Sequence, residues 1–160
     1  MGQKKGRERL VVIGNGMAGN ACVEEILKLD PERFEITVFG RERHTNYNRV
    51  LLSHVLTGEK TIGDITLHDR SWYEKNGIRL HTACAVREIK RGSRVIEAEG
   101  GVRAHYDKLI LATGSYPVIL PVPGHDKEGV VSFRDMADCE RIRGLSKTGG
   151  KAVVIGGGLL

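Results

Sequence analysis

Cysteine is scarce, with three in 160 residues, at Cys22, Cys84 and Cys139. An odd number at wide spacing excludes a disulfide framework, and no pair has the spacing of a metal site. The expected compartment is the reducing cytoplasm. Aromatic residues make up only 5% of the chain and do not interleave with the basic ones. The net charge of +5 is scattered, with Arg41, Arg43, Arg49, Arg141 and Arg143 far from the basic terminus, so no nucleic-acid surface is expected. No apolar run approaches the ~20 residues of a membrane span, and no membrane partner is expected. The first apolar run is too short and too glycine-broken for a signal peptide. Proline occurs four times. Pro31 ends the first helix, while Pro117, Pro121 and Pro123 mark an extended linker.

Glycine, by contrast, is abundant at 21 residues. Three of these fall in residues 10–19, LVVIGNGMAG, as Gly14, Gly16 and Gly19 in the spacing G-x-G-x-x-G. The apolar run before them and the apolar-periodic segment after them predict a buried parallel strand, a tight turn and a helix. Gly14 lets the chain turn, Gly16 lets a pyrophosphate approach the backbone, and Gly19 lets the helix pack closely on the strand. Met17 and Ala18 open the helix, whose first N–H groups and partial positive charge face the phosphates.

In chain order, residues 1–8 read as a polar arm and 10–13 as the first strand. A helix is predicted from 17 to 29. Ala18, Cys22 and Ile26 repeat at helical spacing, as do Val23 and Leu27. Cys22 is therefore expected in the core rather than as a reactive thiol. Residues 34–39 (FEITVF) form a second strand and complete a βαβ unit of about thirty residues. Past it, Glu42 is the acid placed to accept ribose hydroxyls, while Arg41 keeps a 2′-phosphate, and so NADP, open. Arg49 enters a helical segment within residues 44–60, and its planar fork suits either an oxyanion or a surface salt bridge. Asp69 or Ser71 caps a short helix that closes at Asn76-Gly77. A strand follows at 78–81, then a hairpin of 85–89 and 94–98, and a third strand at 102–106 completes an antiparallel meander. Residues 108–111 (KLIL) form a short buried strand that runs into Ala112-Thr113-Gly114. A polar surface helix at 132–145 holds Cys139.

Residues 152–158 (AVVIGGG) repeat the pattern of residues 10–16 (LVVIGNG). Two strand-and-glycine-turn copies predict two dinucleotide-binding domains in tandem, the second cut off at Leu160. The expected organisation has three parts: a first domain over residues 1–117, a linker and surface helix over 118–150, and the opening strand and glycine turn of a truncated second domain over 151–160. The expected class is α/β, a Rossmann-like domain with a parallel sheet and a small antiparallel meander. The chain is expected to be a fragment.

The pieces VVIGNGMAG, ITVFG, YNRVLLS, WYEKNGI, YDKLILATGSYP and VVIGGGLL, taken together, resemble the flavoprotein oxidoreductases with two dinucleotide-binding domains. Within them the chain is most similar to the NAD(P)H-dependent nitrite reductase large-subunit family. The resemblance implies that Gly14, Gly16 and Gly19 hold the pyrophosphate of FAD and that the second glycine turn takes NAD(P)H. It implies that Arg49 lies along the FAD, that Val86 meets the adenine through its backbone, and that Ala112, Thr113 and Gly114 close over the cofactor. Relatives place an acid directly after the glycine that ends the second strand, where this chain has Arg41, with Glu42 one residue later. They place a lysine near the flavin where His54 stands, so His54 is read either as flavin-side or as a surface residue. The implied chemistry is hydride transfer from NAD(P)H to FAD. Electrons then pass onward, to sirohaem and iron–sulfur centres in downstream domains or to an acceptor protein. No catalytic acid–base pair is assigned. Residues 41–60 hold no cysteine, which argues against disulfide-reductase chemistry.

Three alternatives stand beside this reading. One is an NADH-dependent rubredoxin- or ferredoxin-type reductase. Another is a non-catalytic nucleotide-binding fragment. The last is a lone NADP-binding domain that uses Arg41 and Arg43.

Overall fold

The structure, a computed structural model, describes residues 6–157. Its helices are α1 (Met17–Leu29), α2 (Leu52–Thr57), α3 (Ile62–Ile65), α4 (Arg70–Lys75) and α5 (Met136–Ser146). Its strands are β1 (Glu8–Ile13), β2 (Phe34–Phe39), β3 (Arg79–His81), β4 (Val86–Lys90), β5 (Val95–Ala98), β6 (Arg103–His105) and β7 (Lys108–Leu111). The chain divides into two compact units, Met1–Arg49 with Ile62–Ser115, and Val50–Thr61 with Tyr116–Leu160.

The first unit carries a parallel sheet in the order β3-β2-β1-β7 and an antiparallel sheet in the order β4-β5-β6. β1 lies inside the parallel sheet, pairing in register with β2 (Ile13 opposite Phe39) and with β7 (Ile13 opposite Leu111). A strand covered on both faces reads as an unbroken apolar run, and Leu10, Val11, Val12 and Ile13 are all buried. Because successive side chains alternate, Leu10 and Val12 join Val23 of α1 and Tyr73 of α4 on one face. Val11 and Ile13 join Ile96, Ala98 and Tyr106 of the meander on the other. The parallel sheet thus sits between a helical layer and the antiparallel sheet. The expected α/β fold, with its parallel sheet and small meander, is the one observed.

The bounds of α1 and β2 coincide with those expected. Asp69, rather than Ser71, caps α4, its side chain accepting from the Trp72 N–H at 3.0 Å. Trp72 is partly buried against the core, and it stacks on His68.

Two expectations fail. Cys22 is exposed, as are Ala18 and Ala21. The inward face of α1 is instead Gly19, Asn20 and Val23, with Ile26 and Leu27 packed against the core. Counting apolar residues could not place a buried asparagine. Residues 151–157 form no strand and are exposed; among the described residues no strand pairs with them, and a lone strand leaves its backbone groups to water. Gly158 and the two residues after it lie outside the described residues. Beyond these two, α3 is a single turn for which the sequence raised no expectation, since four residues show no period.

In the second unit, α2 buries Leu52 and Val55, and α5 buries Met136 and Cys139. The Cys139 thiol donates to the Leu52 carbonyl at 3.8 Å. The helix expected from residue 132 starts at Met136 because Asp135 and Asp138 form a reciprocal capping box, which uses the preceding residues as a cap.

Candidate functional site

In a doubly wound sheet the binding crevice lies beyond the carboxyl ends of the strands, where the chain turns to opposite sides. Here that point is the end of β1, flanked by β2 and β7. The turn that leaves β1 there holds Gly14 and Gly16, and Gly19 lies in the first turn of α1.

The three glycines stand in different surroundings. Gly14 has φ +118°, and a Cβ there would collide with the carbonyl oxygen of Ala112. The backbone of Ala112 is held in place by its own N–H, which donates to the Ile13 carbonyl at 2.8 Å. A Cβ on Gly19 would collide with the Gly14 carbonyl oxygen and stand 3.3 Å from the Ala112 Cβ. These two glycines serve packing inside the protein. Gly16 differs, because its backbone is extended at φ −88° and a Cβ would meet nothing within 4 Å. Neither conformation nor internal packing demands glycine there. Gly16 is also the N-cap of α1, with no side-chain cap and no acid in the first turn. Met17 and Ala18, which follow it, are exposed. An uncapped helix start without acidic side chains is suited to an anion.

The turn is braced from behind by a polar cluster that sequence reasoning missed. Asn20, fully buried, donates from Nδ2 to Asn15 Oδ1 at 2.9 Å and to the Gly16 carbonyl at 3.1 Å. The Tyr73 hydroxyl lies 2.8 Å from Asn15 Oδ1 and 2.7 Å from Asn20 Oδ1. Burial pushes the Tyr73 phenol up to about 12, against the pull of these asparagines, so it stays a neutral donor. The signal available in the sequence was an asparagine at a position of α1 where small apolar residues surround it.

Past β2, the structure brings together two of the expected residues. Arg49 donates to Glu42 Oε1 at 2.6 Å, and the Tyr47 hydroxyl donates to Glu42 Oε2 at 2.6 Å. Of the remaining expected residues, Ala112 and Thr113 abut Gly14, and Gly114 follows them, exposed, at φ +73°. Val86 begins the edge strand β4, half-buried and opposite Ala98. His54, on α2 in the second unit, pairs with Glu59 at 2.6 Å and, with Thr57, holds that carboxyl below its ordinary range. Of the three cysteines, the buried Cys84 and Cys139 have thiols pushed up by burial, and all three are free. Among the described residues no group of His, Cys, Asp and Glu could hold a metal ion, and no helix is long and apolar enough to cross a membrane.

Residues 8–160 match the family described as pyridine nucleotide-disulphide oxidoreductase. The chain belongs to that family. Two curated members from Bacillus subtilis (strain 168) are each 50% identical to it. An assimilatory nitrate reductase electron transfer subunit matches over 96% of this chain and 20% of its own length. A nitrite reductase [NAD(P)H] matches over 97% of this chain and 19% of its own length. The chain thus spans about a fifth of the length of these relatives. Among solved structures, NADH:rubredoxin oxidoreductase from Clostridium acetobutylicum superposes with a TM-score of 0.83 at 29% identity. That match covers 95% of this chain and 39% of the other. The family name includes a disulphide, yet no cysteine of this chain lies in the glycine turn or among residues 41–60.

The glycine turn fits a dinucleotide such as FAD. It offers open space at Gly16 and an uncapped helix start.

Proposed function

We propose that this chain is the FAD-binding portion of an NAD(P)H-dependent nitrite reductase large subunit. The observation that carries the nucleotide-binding part is Gly16, a glycine with open space where its side chain would be. The choice among family members is supported by 50% identity to the nitrite reductase [NAD(P)H] of Bacillus subtilis across 97% of this chain. When bound, FAD supplies the capacity to take a hydride from NAD(P)H and release electrons onward toward nitrite.

The chain's own residues would bind and orient. Gly16 would leave room for the pyrophosphate, and Met17 and Ala18 would turn their N–H groups toward it. Gly14 and Gly19 keep the turn closed on Ala112 and on the strand. Arg49 would supply positive charge along the diphosphate, Val86 a backbone contact to the adenine, and Thr113 and Gly114 a cover at the exit of β7. The cytoplasm is the proposed compartment. NAD(P)H is proposed for the second glycine turn, and sirohaem and iron–sulfur clusters for other parts of the protein; no residue of this chain is assigned to the latter two.

A second reading follows from the equal match to the assimilatory nitrate reductase electron transfer subunit. On it, the electrons leave for a separate partner subunit. Adding FAD to the purified 160-residue chain and recording its spectrum tests the part common to both. Bound-flavin absorption is expected, and it should be lost in Gly16→Val. A protein that stays colourless, or that binds NADPH more tightly than FAD, overturns the reading. NADH-driven nitrite reduction by the parent protein without added partner then favours the first reading over the second.

A further inference from the structure

The carboxylate beyond β2 is engaged at both oxygens. Glu42 Oε1 takes Arg49 Nη2, and Oε2 takes the Tyr47 hydroxyl, each at 2.6 Å. The guanidinium carbon of Arg49 also lies 5.1 Å from the centre of the Tyr47 ring. Tyr47 is itself 5% exposed and bridges to Thr66, so it is a fixed platform. The three side chains form a closed set. The tyrosine holds the carboxylate, the carboxylate holds the guanidinium, and the guanidinium lies over the tyrosine ring. The side chains of Arg49 and Glu42 remain 26% and 21% exposed, so the set is fixed by its contacts but open on one side.

An acid at this point of a doubly wound fold is ordinarily read as the acceptor of ribose hydroxyls. Those hydroxyls would find one acceptor site on each oxygen already taken, by a charged donor and by a phenol. The guanidinium, in contrast, offers a planar array of donors matched to phosphate oxygens. We propose that Glu42 acts on the dinucleotide through Arg49. With Tyr47 it is a positioning residue that sets the guanidinium for the diphosphate, and it is not the ribose acceptor. This rests on the proposal that the turn at residues 14–19 takes FAD.

Binding of FAD, ADP and 2′,3′-dideoxy-ADP to the 160-residue chain separates the two roles. Glu42→Ala is expected to weaken ADP and dideoxy-ADP by the same factor, about tenfold, leaving their ratio at the wild-type value. In an Arg49→Ala background the same substitution is expected to change ADP affinity less than twofold, because contacting residues are not additive. Glu42→Gln keeps an acceptor for Arg49 and is expected to fall between the two. The inference is overturned if Glu42→Ala removes a wild-type preference for ADP over its dideoxy form. It is also overturned if the Glu42 and Arg49 losses add, or if Glu42→Ala binds as tightly as wild type. If Glu42→Ala fails to fold, as judged by its melting curve, the ADP ratio of Glu42→Gln decides by the same criterion. Wild-type chain that binds no FAD overturns the underlying proposal instead.

Discussion

Gly14, Gly16 and Gly19 share one motif but answer to different forces, and substitution separates them. Gly14→Ala places a methyl against the Ala112 carbonyl oxygen and at a φ that L-residues avoid. Gly19→Ala meets the Gly14 carbonyl oxygen. Each is expected to lower stability by about 1–3 kcal/mol, as overpacking does. Gly16→Ala enters open space at an N-cap position and is expected to cost under about 1 kcal/mol while weakening FAD binding. Melting curves without FAD, set beside FAD titrations, check this. Equal destabilisation by all three would contradict it.

Tyr73 makes a pH prediction. Its folded-state value, about 12, lies above the 10.0 of a free phenol. The neutral phenol is therefore favoured by folding, and this contribution is complete below pH 10 and disappears as pH rises toward 12. Stability should fall by up to about 1.4 kcal/mol per pH unit across that window. Denaturant titrations at pH 9.5, 10.5 and 11.5 should show this slope in wild type and a shallower one in Tyr73→Phe.

Among elements, the join of β1 to β7 is reinforced at its opening end. Asp107 accepts from the Arg9 backbone N–H at 2.8 Å and from Arg9 Nε at 2.9 Å and Nη2 at 2.8 Å, and its own N–H returns a bond to the Arg9 carbonyl. These bonds hold the Asp107 carboxyl well below the usual carboxylate range. A depressed carboxylate stabilises above its unfolded value and loses that contribution as pH falls below it. Asp107→Asn is therefore expected to melt lower than wild type at pH 7, with the gap closing as pH drops from about 4 toward 2. A gap that stays constant to pH 2 would refute the assignment. This is also the scale at which sequence reading was strongest. The runs at β1 and β2 and the punctuation by Pro31 located elements nearly to the residue. It was weakest where an element has no period to show, as in α3, or where a polar residue turns inward, as Asn20 does.

For the molecule as a whole, stability should be uneven. Residues 115–134 carry almost no regular structure and are mostly exposed, and residues 151–157 are exposed throughout. Their amides are expected to exchange with solvent within seconds, while those of Val11 and Val12 exchange only on global opening. Mass-resolved hydrogen exchange tests this; protection at residues 152–155 comparable to β1 would contradict it. Long-range relations were the part of the site not readable in sequence. Gly14 and Ala112, or Glu42 and Arg49, could each be singled out, but nothing local announces that the first pair abuts and the second pair binds.

The place of β1 inside its sheet also has a consequence in time. Its first partner, β2, follows within one helix, but its second, β7, is not made until residues 108–111. During synthesis one edge of this buried strand stays unzipped while about a hundred residues are added, a long wait for a strand whose bare edge invites pairing with other chains. The meander, β4 to β6, is translated in that interval and covers the face of β1 that carries Val11 and Ile13. The nascent chain thus has one flank of β1 covered before it can seal the edge, and Asp107 arrives just ahead of β7 to clamp onto Arg9.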